Sequence, residues 1–570
     1  MAIKETGDLL FEEGKITEPQ LEQVRRRQRR LNLPQHRAIV DLNIASEEDT
    51  WRALAQANQL EFVDPLALDL KRETLELVPI KLIFHYHLLP LGVEDDCLAL
   101  AFSEPPRQMD QGNLRLLLGK RFKALLATPS AIHAVIKKHF GLGAETIQKL
   151  REERGGGEIS QEIVFDVQGK ETDSALEATV SAFVDQILQE ALRLKATDIH
   201  LEPYANSVRL RYRVDGMLET VPVPADMRHL HLAVVSRLKI MAGLNIAEKR
   251  LPHDGRIAMK TGEEEYDLRV SIVPTKYGEA ACLRILGRQS LYLDLGQLGM
   301  EPKQEAVFAQ LTQLPQGLVL LTGPTGSGKT TTLYTALAQA NADDRKIITF
   351  EDPIEYQLEG TVQIQVRDQI GLTFATGLRS VLRHDPDVVL VGEIRDFETA
   401  EIAVRAAQTG HLVFSTLHTN DSISAVTRLL EMKIEPYLIA SSLVCSLSQR
   451  LARRICRHCA EEETTILELV REEMAPAAVK AWKGRGCVEC NQKGYRGRVA
   501  IYEFFLLNEA IANLIQTGVK TGELRSAARP LGWRSLREMA WLKVQRGLIP
   551  ISEQERWTRV IDPSALKPDP

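Results

Sequence analysis

The chain has 570 residues, 44% of them hydrophobic and 26% charged, with a net charge of −6. That length implies about four domains at roughly 150 residues each, the composition is that of ordinary globular domains, and the acidic balance offers no basic field to hold nucleic acid. No apolar run approaches the ~18 residues of a membrane span, and the opening MAIKETGDLLFEEG is too polar for a secretory signal. Seven cysteines in such a chain give no disulfide framework. The expectation is a cytosolic protein that meets membranes only through partners.

Residues 1–142 read as one or two small domains. Thr17 with Gln20, and Ser46 with Asp49, have the spacing of capping boxes that open helices. GKITEPQLEQV and NIASEEDTWRA align at an offset of 29 residues, the mark of an internal duplication. The run Arg25, Arg26, Arg27, Gln28, Arg29, Arg30 reads first as a solvated helix face, with a docking patch for an acidic partner as the alternative. HLLPLGV, CLALAF and FKALLAT, followed by SAIHAVIKKHF, predict a small α+β unit over residues 86–140. GLGAE and EERGGGEISQE make residues 143–172 a flexible linker.

Helical periodicity resumes after residue 173, and VRLRYRV and YDLRVSIVPT predict strands flanking a helix over 227–243. Residues 173–288 thus form a second α+β domain. Alternation places Arg209, Arg211 and Arg213 on one strand face, with Arg269 and Arg284 on later strands. A solvated face is the default reading. Arginines from a second domain can also neutralise charge on a γ-phosphate.

Residues 289–505 carry the strongest motif. An apolar run, Leu318 to Leu321, leads into Gly323, Pro324, Thr325, Gly326, Ser327, Gly328, Lys329, Thr330 and Thr331, and a helix-forming segment follows. Strand, G-x-x-x-x-G-K-T loop and helix together identify a P-loop. The glycines let backbone N–H groups turn inward around phosphate oxygens. Lys329 reaches the β- and γ-phosphates, and Thr330 offers its hydroxyl to Mg²⁺. IITFEDPIEY delivers Glu351 and Asp352 to a strand end, and DVVLVGEIRD delivers Glu393 and Asp396. Strand C-termini face the ligand crevice of an α/β sheet, where carboxylates hold Mg²⁺ and orient the attacking water. GHLVFSTLHTN is a third strand, with His411 before it and His418 after it. His418 is the better candidate for a phosphate or interface contact.

Cys456, Cys459, Cys487 and Cys490 form two C-x2-C pairs within residues 452–500. Tetrahedral Zn²⁺ wants four thiolates, and each pair presents two. A dithiol redox role is the alternative. The knuckles are expected to lie beyond the nucleotide-binding strands, so that losing zinc spares that fold. Cys97, Cys282 and Cys445 sit in apolar contexts as inert core residues. A helical tail spans 506–570.

In combination ATDIHLEP, RYRVDGML, EKRLPHDGRI, GPTGSGKTTTLY, FEDPIEY, LRHDPDVVLVGEIRD, TGHLVFSTLHTN and YRGRVAIYEF resemble the secretion ATPase family, the hexameric motors of type II secretion and of type IV pilus assembly. The resemblance covers about residues 173–505 and implies an α/β fold with a RecA-like P-loop core, assembled as a homohexameric ring. It implies an ATPase working at the cytoplasmic face of the inner membrane. Its partners there would be a platform protein and the cytoplasmic domain of a bitopic membrane protein. Glu351 and Asp352 match the family's acidic box, Glu393 its Walker B strand, and His411 and His418 its histidine box. Gly392 stands where the Walker B aspartate is usual. Arg213, Arg269 and Arg284 fit the arginines that reach the nucleotide from the preceding domain. The four-cysteine segment and long N-terminal region argue for assembly or secretion rather than retraction. Relatives that bind cyclic di-GMP begin each duplicated half with Arg-Leu-Gly, whereas this chain has Glu5-Thr6-Gly7 and His36-Arg37-Ala38. Partner docking is the expected role of the N-terminus. A type II secretion motor is the reading taken forward. A pilus-assembly motor and a nucleotide-gated scaffold or cyclic di-GMP responsive regulator are its alternatives.

Overall fold

A computed structural model describes residues 5–94, 96–153, 174–262, 264–287, 295–465, 479–518 and 520–558. The chain forms two units, one built mainly from residues 1–258 and 268–285 and the other mainly from 286–570.

In the first unit, helices Thr6–Glu12 and Glu18–Leu31 are followed by Gln35–Asp41 and Glu47–Ala57. Both pairs of helix starts, Thr6 with Gln35 and Glu18 with Glu47, are 29 residues apart, so the duplicated sequence is a duplicated helical hairpin. The expected caps form. The Thr17 N–H donates to Gln20 Oε1 at 2.7 Å, and the Asp49 N–H donates to Ser46 Oγ at 3.0 Å. Leu10, Leu21, Val24, Ile39 and Ala53 bury the shared face. The arginine run is a solvated face, with Arg25 2.7 Å from Asp8 and Arg26 3.2 Å from Glu22. A four-stranded sheet follows, built from Glu61–Phe62, Leu88–Glu94, Cys97–Phe102 and Arg121–Leu126, with helix Pro129–Phe140 beside it.

The expected linker opens as a helix, Ala144–Glu153. AETIQKLREE consists of strong helix formers, and it packs on helix Ser174–Arg193, where Gln186 Nε2 donates to Thr146 Oγ1 at 2.9 Å. The rest of the linker, 154–173, lies outside the described residues. The arginine-bearing domain is a six-stranded sheet with helix Met227–Met241 against it. In Val208–Val214 the apolar residues Val208, Leu210, Tyr212 and Val214 are buried, and Arg209, Arg211 and Arg213 take the other face.

The second unit is organised by a seven-stranded sheet. Its strands are β1 (Gly317–Thr322), β2 (Ile347–Glu351), β3 (Thr361–Gln365), β4 (Val388–Val391), β5 (Leu412–Leu417), β6 (Leu443–Ile455) and β7 (Tyr495–Leu506). Their order is β3-β2-β4-β5-β1-β6-β7, with six parallel strands and an antiparallel edge, β7. Helices cover both faces, so β1 is apolar from Leu318 to Leu321 and buried at all six positions. Leu318 and Leu320 pack on one face, Val319 and Leu321 on the other.

The C-terminal helices are part of this unit rather than a tail beyond it. Ile511, Ile515, Leu524, Ala528 and Trp533 share a cluster with Leu318 and Leu320. Helix Leu536–Gln545 packs Met539, Trp541 and Val544 against Ala452 of β6 and Ile501 of β7. Lys543 Nζ donates to the Gly299 carbonyl at 2.7 Å and pairs with Glu301 at 2.8 Å. Residues 559–570 lie outside the description.

Candidate active site

The loop between β1 and helix Lys329–Ala340 turns through three left-handed glycines, Gly323, Gly326 and Gly328, at φ +142°, +78° and +89°. Gly323 is required twice over. A Cβ there would lie 2.6 Å from the Gln449 carbonyl oxygen and 2.9 Å from an Arg450 guanidinium nitrogen. Pro324, Thr325 and Gly326 form the exposed crest, while Ser327 turns inward with a buried hydroxyl that has no hydrogen-bond partner. Thr330 and Thr331 sit in the helix's first turn, where free N–H groups and the helix dipole favour an anion. Lys329 Nζ donates to the carbonyls of Gly323 at 2.7 Å and Pro324 at 3.2 Å. Burial pushes its ammonium down to about 8, against the pull of Glu393, and Arg450 pushes the same way as burial.

Glu393 follows β4 and is 16% exposed. It is held from two sides. Arg395 binds one carboxylate oxygen, and His418 Nε2 lies 3.4 Å from the other. Asp352 joins the edge of this group, 4.0 Å from Arg395. Its neighbour Glu351, the last residue of β2, makes a separate set of contacts. Glu351 is 4% exposed and accepts from Thr349 Oγ1 at 2.6 Å, Gln363 Nε2 at 3.2 Å and the Tyr334 hydroxyl of the P-loop helix. Burial raises its pKa despite those donors. Of the two acidic-box carboxylates, the structure therefore brings Asp352 to Glu393 and ties Glu351 to the P-loop helix. Asp396 N-caps helix Phe397–Gln408, accepting from the Thr399 N–H at 2.8 Å.

The two histidines lie at opposite ends of β5. His418 is at the C-terminal end, beside Glu393. His411 is at the other, where its Nδ1 sits 3.1 Å from the Ala406 carbonyl. Six residues of strand separate them, roughly 20 Å at 3.3 Å per residue. The structure does not bring His411 to the P-loop of its own chain.

In the other unit, Arg213 and Arg284 flank Asp198 at 3.7 and 3.0 Å, from the strands on either side of it. Arg211 binds Glu202 through both oxygens, at 2.6 and 2.7 Å. Arg269 lies on the strand Glu264–Thr275, between buried Leu268 and Val270.

Three residues at the P-loop go unnoticed in the sequence. Arg395 pins Glu393. Gln449 accepts from Thr332 of the P-loop helix at 3.0 Å. Arg450, 8% exposed, donates to the carbonyls of Gln449 at 2.9 Å and Asn420 at 2.8 Å. The available signal was the polar run Ser446, Ser448, Gln449, Arg450 following an apolar strand start, Leu443 to Cys445.

The four cysteines converge. Cys456–Cys487 and Cys459–Cys490 sulfurs are 3.8 Å apart, and Cys487–Cys490 sulfurs 3.7 Å. A tetrahedral ion with bonds of about 2.3 Å needs sulfurs about 3.8 Å apart, so the set fits a structural metal. Burial opposes ionisation of Cys490, but N–H donors from Cys487 and Gly494 hold its thiol down at about 7. Contrary to expectation, the cluster does not lie beyond the nucleotide-binding strands. Cys456 directly follows β6, the strand that carries Gln449 and Arg450, and Cys490 leads into β7. Cys445 is fully buried, and burial raises its thiol. Cys97 and Cys282 are half-buried. Among the described residues no helix is long and apolar enough to cross a membrane.

The family model for type II/IV secretion system proteins matches residues 173–556, and one for MshEN domains matches 58–146. The chain is 38% identical to the type IV pilus assembly ATPase PilB of Myxococcus xanthus, over 96% of this chain and 97% of that protein. It is 40% identical to the type II secretion system protein E of Xanthomonas campestris, over 91% and 92%. It is 49% identical to the type II secretion system protein HxcR of Pseudomonas aeruginosa, over 67% and 78%. Among solved structures, the pilus retraction motor PilT with bound ADP aligns with 67% of this chain and 98% of its own, at 28% identity and a TM-score of 0.44. The chain belongs to the type II/IV secretion system protein family, whose members are secretion and pilus ATPases.

Proposed function

We propose that this chain is the ATP-hydrolysing motor of a type II secretion system, working as a homohexamer at the cytoplasmic face of the inner membrane. The observation that carries the ATPase reading is the convergence of Lys329, Glu393 and His418 at the C-terminal edge of one parallel sheet. Lys329 exchanges its two carbonyl partners for the β- and γ-phosphates. Glu393, pinned by Arg395 and flanked by His418, orients the attacking water and draws off its proton. Thr330 and Asp352 would hold Mg²⁺, which would supply neutralising charge to the bound phosphates. Glu351 acts from behind by fixing the P-loop helix through Tyr334. Arg213, Arg269 and Arg284 are assigned to a neighbouring subunit's γ-phosphate. The cysteine cluster is assigned to Zn²⁺ as a structural ion. The N-terminal region is assigned to docking with the cytoplasmic domain of a bitopic inner-membrane partner, and the ring to an inner-membrane platform protein.

Similarity to HxcR and the Xanthomonas protein supports the secretion client. Pilus assembly is the second reading, favoured by the match to PilB over nearly the whole of both chains. The test is a Lys329→Ala replacement in the native genome, with exported proteins and surface pili scored separately. Loss of export with pili retained supports the proposal. The reverse selects pilus assembly, and wild-type phenotypes for both remove the P-loop from the mechanism.

A further inference from the structure

The segment after β5, His418 to Ser424, sits between the P-loop and the C-terminal helices, and every side of it is bonded. On the P-loop side, Arg450 donates to the Asn420 carbonyl at 2.8 Å, and Thr322, the last residue of β1, reaches the Asp421 carbonyl at 3.4 Å. On the far side stands Glu503 of β7, 2% exposed. One of its oxygens accepts from both the N–H and the hydroxyl of Ser422, the N–H at 2.9 Å. Its other oxygen accepts from the Leu536 N–H at 2.9 Å, at the first turn of helix Leu536–Gln545. Trp533 Nε1 reaches the same Ser422 hydroxyl at 3.4 Å, and Arg525 pairs with Asp421 at 2.9 Å.

We infer that Glu503 is a positioning residue for ATP hydrolysis: it fixes the Ser422 turn, and through it His418 against Glu393, and it makes that placement depend on the seating of the C-terminal helices. The physical reason is accounting. A buried carboxylate must be matched by donors. Glu503 has three, two from the histidine segment and one from the helix N-terminus. If helix Leu536–Gln545 shifts, a donor is lost and the carboxylate must move or take on a proton, and the Ser422 turn is released with it. His418 lies four residues upstream on the same short segment. Force on the C-terminal helices, from a neighbouring subunit or a docked partner, is thereby expressed at Glu393 through His418.

The inference rests on His418 acting at Glu393 as proposed above, and the experiment separates the two. The full-length protein is assayed for steady-state ATP hydrolysis and, independently, for fluorescent ADP binding, as wild type, Glu503→Gln, Ser422→Ala, His418→Ala and the two double variants with His418→Ala. Glu503→Gln is expected to lower kcat about tenfold and Ser422→Ala about threefold, with KM and ADP affinity within about twofold, because the lost contacts serve the reacting geometry rather than phosphate binding. Neither replacement should lower kcat further in the His418→Ala background, since groups acting through one another are non-additive. Wild-type kcat at Glu503→Gln and Ser422→Ala, an equal loss of ADP affinity, or losses that multiply in the double variants would each overturn the inference while leaving His418 in place. Wild-type kcat at His418→Ala would overturn the reading of His418 and this inference with it. Should Glu503→Gln fail to fold, Ser422→Ala, which removes a single hydroxyl, decides on the same criteria.

Discussion

Lys329 offers a sharp test of the site, because its protonation and phosphate binding compete for the same burial. In the nucleotide-free chain, burial lowers its ammonium to about 8 against an ordinary value of 10.5. Phosphate oxygens favour the charged form, so the bound state holds the proton well above that pH. Well below pH 8, at pH 7, the lysine already carries its charge, and binding takes up little proton. Above pH 8 the neutral amine must first be protonated, and affinity falls as pH rises. At pH 9, one unit above the free value, the cost is about 1.4 kcal/mol, or roughly a tenfold weaker affinity than at pH 7. Linkage requires the same lysine to take up about 0.1 proton per ADP at pH 7 and most of one at pH 9. Calorimetric titration with ADP at both pH values, each in two buffers of different ionisation enthalpy, measures affinity and proton uptake together. Lys329→Arg, charged throughout this range, should bind with the same affinity at both pH values. A wild-type affinity unchanged within twofold, with no proton uptake at pH 9, would refute the reasoning.

Glu393→Gln should retain ADP and ATP binding while kcat falls at least a hundredfold, the range for loss of a general base; turnover within about tenfold of wild type would move the role to Asp352 or Glu351. Purified protein should contain about one zinc per chain. Cys456→Ser with Cys487→Ser should remove the metal, lower the melting temperature and lower kcat, because the cluster closes the far end of β6, which carries Arg450; metal loss with unchanged kcat would uncouple them. Mixing Arg213→Ala with Lys329→Ala chains should restore part of the activity lost by each, since a ring can join an intact P-loop to an intact arginine face. No rescue, together with full activity in dilute monomer, would place the arginines on their own chain's nucleotide or on none. Ser46→Ala should cost about 1 kcal/mol in denaturant unfolding of the N-terminal helices, as loss of an N-cap does.

Local chemistry was legible in the sequence, and non-local placement was not. The P-loop announces itself because a buried strand, three left-handed glycines and a helix start are contiguous. The helix starts at Glu18 and Glu47 are read from Thr17 and Ser46 for the same reason. The cysteines reveal their convergence through paired spacing, but not their location, because that depends on the antiparallel register of β6 and β7. Glu351 and Asp352 look alike as sequence. Only the end of β2 at Glu351 decides that one closes the strand against Tyr334 and the other, just past it, meets Arg395. His411 and His418 both flank one strand, and the length of β5 carries them to opposite edges of the sheet. Arg450 and Glu503 acquire their meaning only when β6 pairs with β1 and β7 pairs with β6.

That last point bears on how such a site can be driven. In β1 the backbone is saturated by β5 on one side and β6 on the other, so the P-loop's base is among the most rigid parts of the unit. Its variable neighbours are polar. They are the Asn420 carbonyl held by Arg450, the Ser422 turn held by Glu503, and the cysteine knuckles at the far end of the β6–β7 ribbon. Asn420 and Ser422 lie on the same loop as His418, which sits 3.4 Å from Glu393, and the knuckles close the β6–β7 ribbon that pairs with β1. An ATPase needs this division. The phosphate cradle must stay formed while neighbouring groups move, and here the cradle is built from buried backbone, while the Ser422 turn beside it is tied by Glu503, Trp533 and Arg525 to β7 and the C-terminal helices.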